Sequence, residues 1–220
     1  MKKRNRKQWG ITLGLLASFA LWTAAVRCID VQGIGPNGSS VGFAALNGAV
    51  LARTGVHMAL YTITDWLGLV PLGFALGFAL LGLVQLIQRR SILRVDRSIL
   101  VLGGFYLLVI AAYLFFEEVV VNYRPVLIEG YLEASYPSST TMLVLCVMPT
   151  AMLQLRGRIG NETVKRTVLG ALAAFSVFMV VGRLLSGVHW FTDIVGALLL
   201  SAGLVMLYCS VCSLFDPEVS

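Results

Sequence analysis

Residues 167–193 read TVLGALAAFSVFMVVGRLLSGVHWFTD. From Thr167 to Gly187 the only charged residue is Arg183, and a mainly apolar run of about 20 residues is the length an α-helix needs to cross the hydrocarbon core of a bilayer. The run breaks at Ser186-Gly187, and a second apolar run opens at Trp190. The stretch therefore reads as the end of one transmembrane helix, a short turn carrying polar groups, and the start of the next.

Working outward, four more such runs appear, which predicts six spans: Ile11 to Ile29, Trp66 to Gln88, Ser98 to Phe116, Ser138 to Leu155, Thr167 to Gly187 and Trp190 to Val211. The chain has 220 residues, 58% apolar and 13% charged, and its mean hydropathy is +0.84. A soluble domain would be about half apolar and about a quarter charged, and a disordered chain would be far more polar. The predicted architecture is an all-α, integral membrane six-helix bundle, a single polytopic domain over residues 1–220. Its motif-bearing core covers about 98–212, and an outer loop and interfacial helix cover about 30–65. That outer segment opens with Gly33, Gly35, Pro36, Gly38 and Gly42, a turn-rich stretch without the Gly-Lys-Ser/Thr ending of a phosphate-binding P-loop. Phe43 to Met58 then suits a helix lying in the interface.

The net charge of +6 is sorted by side. Lys2, Lys3, Arg4, Arg6 and Lys7 precede the first span; Arg89, Arg90, Arg94 and Arg97 join the second and third; Arg156, Arg158, Lys165 and Arg166 join the fourth and fifth. With six spans all of these fall on one side, so the positive-inside rule predicts that both termini are cytoplasmic. These residues set topology and meet anionic headgroups of membrane lipids; nucleic acid is not an expected partner. Cys28, Cys146, Cys209 and Cys212 lie in or at the ends of spans and read as small hydrophobes, not as a disulfide framework. Asn37-Gly38-Ser39 and Asn161-Glu162-Thr163 match the glycosylation pattern only weakly.

Four basic residues fall on the opposite side: Arg27, Arg53, Arg124 and Arg183. Arg27 suits snorkelling at a span end; Arg53 suits the interfacial helix. Arg124 and Arg183 keep richer company. Charged groups near the bilayer core cost about 2.5–3.5 kcal/mol on insertion scales and mark function by default, and this chain gathers its polar groups at one outer face. His189 and Asp193 are four apart, a spacing that lets the carboxylate fix the imidazole tautomer and prepare the ring as nucleophile or base. Arg183 brings a guanidinium fork suited to phosphate oxygens. Pro137-Ser138-Ser139 before an apolar run reads as a helix start, with backbone N–H groups and hydroxyls for an anion. Arg124 supplies a second cation, and phosphate chemistry is the reaction class this set fits. No metal is implied, since the pair lacks further ligands.

Arg124-Pro125, then Pro137-Ser138-Ser139, then Gly182-Arg183-x5-His189-x3-Asp193, on six spans, resembles the type 2 phosphatidic acid phosphatase superfamily, the membrane lipid phosphatases related to vanadium haloperoxidases. The resemblance implies an outer-face pocket without cofactor. It implies His189 as the nucleophile forming a phosphohistidine, Asp193 as its orienting partner, Arg183 as a further catalytic residue, and Arg124, Ser138, Ser139 and Thr140 around a lipid phosphate substrate. Two positions depart from the family pattern. Glu117 stands where the first motif has lysine, and Thr140 stands where the second has the histidine that protonates the leaving oxygen. A weakly basic leaving group needs that proton less, so the expectation is a lipid phosphatase that favours polyprenyl diphosphate over phosphatidic acid. The rival expectation is a catalytically impaired homologue that binds or transports lipid phosphates. Glu117 and Glu118 are expected to pair with Arg124 or Arg53, with one of them or His57 as a candidate acid in place of Thr140.

Overall fold

The computed structural model describes residues 2–215; the side chains of Lys2, Lys3 and Arg4, part of the N-terminal basic cluster, lie outside the described residues. The helices are α1 (Lys2–Cys28), α2 (Ala44–Thr54), α3 (Met58–Leu67), α4 (Leu69–Arg89), α5 (Arg97–Glu118), α6 (Ser139–Arg156), α7 (Glu162–Leu185) and α8 (Phe191–Phe215). Among the described residues α1, the continuous α3–α4 segment, α5, α7 and α8 are long and apolar enough to cross a membrane. The fourth predicted span, α6, is less apolar because lipid does not have to solvate it. It packs against α4, α5, α7 and α8 and buries Thr141, Thr150 and Gln154 with its apolar residues.

The central element is α8. Half of its apolar window is buried, against 17–22% for the other four segments, and α1 and α6 run along it with α5 on a further side. Close approach at its outer end depends on Gly196, where a Cβ would fall 2.6 Å from the ring of Tyr136. That ring is itself fixed by stacking on Phe19 and by a 2.7 Å hydrogen bond between its hydroxyl and Thr23.

The bundle has two chemically different ends. At one, Asp96 accepts from Gln85 and pairs with Arg89 (2.9 Å) and Arg158 (3.6 Å), drawing the two basic loops together. Asn161 belongs to this end and caps α7, its side chain accepting from the Thr163 and Val164 N–H groups, which explains the sequon-like triplet as a helix start. At the other end lie the segments 29–57, 119–138 and 186–190.

Two predicted boundaries move. The second span begins at Met58 and not at Trp66, because Thr64 is buried and the exposed Asp65 pairs with Arg183, which satisfies the polarity that argued for a loop. The 43–58 segment does not simply lie in the interface. Asn47 of α2 is buried, donating to the Gly42 carbonyl (2.8 Å) and Thr192 Oγ1 (2.9 Å) while accepting the Thr192 N–H, so α2 docks on the start of α8. The following turn interlocks with the α7–α8 connection. The His57 N–H donates to the Ser186 carbonyl, and Gly187, at φ +67°, would place a Cβ 2.1 Å from the Gly55 carbonyl oxygen. Gly187→Ala is therefore expected to lower the unfolding temperature in detergent, because both the left-handed backbone and the facing backbone oppose a methyl group. An unchanged midpoint in a thermal scan would contradict this packing.

Candidate active site

The α7–α8 connection presents His189, 3% exposed, just before α8 begins. Its Nδ1 lies 3.1 Å from the Ser135 carbonyl oxygen, which can only accept, so Nδ1 carries the proton and Nε2 keeps its lone pair. That lone pair faces two guanidiniums: Arg124 Nη1 at 3.4 Å and Arg183 Nη2 at 3.2 Å. The expected imidazole–carboxylate contact is longer, 3.8 Å from Nδ1 to Asp193 Oδ2. The i, i+4 spacing does not act through a helix here, because His189 precedes α8. The fully buried Asp193 carboxylate instead accepts the Trp190 N–H (2.9 Å) and Asn122 Nδ2 (3.2 Å), fixing the turn that holds the ring. Asn122 in turn accepts the Gly42 N–H and reaches Thr192, so one buried network joins α2, the segment after α5 and the start of α8.

Arg183 and Arg124 are 1% and 8% exposed. Buried charges of this kind require partners, and α3 supplies several. Thr64 Oγ1 and Asp65 Oδ1 lie 3.4 and 3.6 Å from Arg183 Nη1, and the Tyr61 ring centroid lies 4.9 Å from Arg183 Cζ and 5.9 Å from Arg124 Cζ. Arg124 pairs with Glu133, whose Oε2 is 2.9 Å from Nε at an angle too bent for a hydrogen bond. The carboxylate partner of Arg124 is thus Glu133, and not Glu117 or Glu118 as expected. Arg183 Nε is buried without a hydrogen-bond partner among the described residues, a donor in reserve for an anion.

The second motif divides. Pro137-Ser138-Ser139 does begin a helix, and the Ser138 N–H bonds the Asp193 carbonyl (3.2 Å), pinning the start of α6 to the start of α8. The Ser138 hydroxyl is fully buried and donates to Thr141, so it is already committed within α6. Ser139 and Thr140 are half-buried and line an apolar cleft of about 310 Å³ walled by Leu72, Val109, Ile110 and Leu143. Ser139 also borders a small cavity that it shares with Glu117, Tyr113 and Ser135. His57 is exposed, and its ring bonds the Thr54 carbonyl of its own turn. Sequence reasoning missed Tyr61, Thr64, Asp65, Glu133, Asn47 and the Ser135 carbonyl. The one signal available was the unexplained polarity of residues 61–65 inside an otherwise apolar run.

Burial, followed by the two neighbouring guanidiniums, holds the His189 imidazole well below the ordinary histidine range near pH 6.5. The ring is therefore neutral and nucleophilic at neutral pH. Because the folded value lies below the unfolded one, the stability linked to this group is present above about pH 6.5 and lost as pH falls toward the lower, folded value. A nitrogen-detected titration of His189 in detergent is expected to show the neutral Nδ1–H tautomer persisting through pH 6.5; a midpoint at or above that value would contradict the environment described.

Residues 112–214 match the sequence model of the PAP2 superfamily. The matched stretch spans just under half of the chain. It carries Arg124, Arg183, His189 and Asp193, the residues that converge in space. The whole chain is also similar to the crystal structure of a transmembrane PAP2-type phosphatidylglycerolphosphate phosphatase from Bacillus subtilis, with TM-score 0.54 and 22% identity over 95% of this chain and 97% of that one. No curated protein matches the sequence. The matched stretch runs from α5 to α8 of a bundle in which five segments are long and apolar enough to cross a membrane.

Proposed function

We propose that this protein hydrolyses a lipid phosphate or diphosphate from the extracytoplasmic leaflet through a phosphohistidine on His189. The observation that carries the reading is the convergence of Arg124 and Arg183 on the unprotonated Nε2. An ester phosphate seated between the guanidiniums takes their N–H groups on its oxygens and leaves the lone pair facing phosphorus. The same donors then stabilise the charge that grows on the equatorial oxygens as Nε2 attacks. Water resolves the intermediate in a second step. A protein that only bound or carried lipid phosphates would have no use for a ring locked in the nucleophilic tautomer. The cleft beside Ser139 and Thr140 suits an apolar chain, and the basic loops at the far end support an outward reactive face by the positive-inside rule.

Thr140 sets the substrate preference. An alkoxide leaving from phosphatidic acid, or from the phosphatidylglycerolphosphate named for the Bacillus protein, calls for a strong proton donor. A lipid monophosphate leaving from a polyprenyl diphosphate is a much weaker base. General acid catalysis contributes about 10²- to 10⁴-fold, so the lost histidine penalises monoesters selectively. Turnover of farnesyl diphosphate is expected to exceed that of phosphatidic acid when the two are compared in the same detergent micelles. Equal or inverted rates would overturn the preference.

A further inference from the structure

We infer that Tyr61 is the proton donor to the leaving oxygen, a weaker acid than the histidine that Thr140 replaces, so that monoesters stay penalised relative to diphosphates; the inference rests on the phosphohistidine reading above. Among the described residues, five side chains bond, pair with or stack on the two phosphate-facing guanidiniums: His189, Thr64, Asp65, Glu133 and Tyr61. His189 is spent as the nucleophile. Thr64 carries an aliphatic hydroxyl that bonds the Leu60 and Tyr61 carbonyls of its own helix. Asp65 and Glu133 are ion-paired carboxylates, acceptors and not donors in that state. Among these five, Tyr61 combines a dissociable proton with a ring that lies against both cations.

Its placement is deliberate in the packing. Tyr61 is half-buried on the first turns of α3, and that helix is held against α7 where Thr64 meets Gly182 so closely that a Cβ on the glycine would lie 2.8 Å from Thr64 Cγ2. The His57–Ser186 hydrogen bond fixes the start of the same helix to the catalytic turn. A phosphate bridging Arg124 and Arg183 is therefore bounded by the Tyr61 ring. A phenol is a far stronger acid than an aliphatic hydroxyl.

The step balances as follows. The His189 Nε2–P bond forms, the P–O bond to the lipid breaks, and the Tyr61 Oη proton passes to the departing oxygen. In the second step water attacks phosphorus, the N–P bond breaks, and a water proton restores the phenol. Tyrosine is among the side chains that serve this role in general acid catalysis.

The test separates the hydroxyl from the ring. Tyr61→Phe keeps the aromatic face against Arg183 and removes only the proton. In the full-length protein in detergent it is expected to lower turnover of an alkyl phosphate by about 10²-fold, with p-nitrophenyl phosphate and farnesyl diphosphate, whose leaving groups need no proton, nearly unchanged. Adding Thr140→His to Tyr61→Phe is expected to restore the alkyl phosphate rate. Equal losses on all three substrates would make Tyr61 a mere support for the arginines, and no loss on any would remove it from the chemistry; either result overturns the inference, as does a parent protein without measurable alkyl phosphate turnover. Failure of the underlying reading has a different signature: hydrolysis that survives in His189→Ala.

Discussion

His189→Ala is expected to reduce hydrolysis of every lipid phosphate substrate by about 10⁴-fold or more, the scale seen when a nucleophile that works with its neighbours as a unit is removed. The prediction follows from the geometry around one nitrogen. The Ser135 carbonyl accepts the Nδ1 N–H, and both arginines point N–H groups at Nε2, which leaves that lone pair where a phosphate held by the arginines would sit. The direct readout is covalent: brief incubation with a substrate carrying labelled phosphate should leave label on the parent protein, stable to base and released by acid, and none on the variant. The folded state should survive, because the imidazole is neutral and its removal strands no charge. Label persisting on the alanine variant would transfer the nucleophile's role to another residue and dismantle the site as described.

The next largest loss is expected from Arg183→Lys. This substitution keeps the charge, so it isolates the fork. In the parent, one terminal nitrogen reaches His189 at 3.2 Å while the other sits 3.4 Å from Thr64 and 3.6 Å from Asp65, and the guanidinium plane lies over Tyr61. A lysine ammonium is a single point on a flexible stem and cannot occupy both positions. Removing one donor aimed at a developing oxyanion costs about 10²- to 10³-fold in kcat, and that range is expected here, with KM changing much less because the charge that attracts the phosphate remains. A kcat within about ten-fold of the parent would mean that charge alone suffices and that the bidentate geometry is idle.

How much of this was legible in the sequence depends on the distance over which each feature acts. Spans were readable because a bilayer imposes its demand locally, on consecutive residues. The turn carrying Arg183, His189 and Asp193 was readable because its members are close in the chain. The partners of Arg183 were not: Thr64 lies 119 positions away, and its hydrogen-bonding value exists only once α3 packs on α7. Asn47 and Thr192 are 145 positions apart. The misplaced start of the second span has the same origin, since Thr64 and Asp65 look like loop residues until the cations they face are known. The orienting group of His189 was illegible in another way, being a backbone carbonyl that any residue at 135 would supply. Asp193 lies beside His189, yet its carboxylate secures the turn and the Asn122 network more closely than it does the imidazole.

The proposed centre is assembled from two lengths of chain with different status. Residues 112–214 bring His189 and both arginines, while the wall behind the arginines comes from residues 61–65, outside the stretch that matches the superfamily. On the proposed mechanism the reagents and their support are thus encoded in separate places. A fragment confined to the second half would keep His189 and both arginines and lose the side chains that hold Arg183 in position.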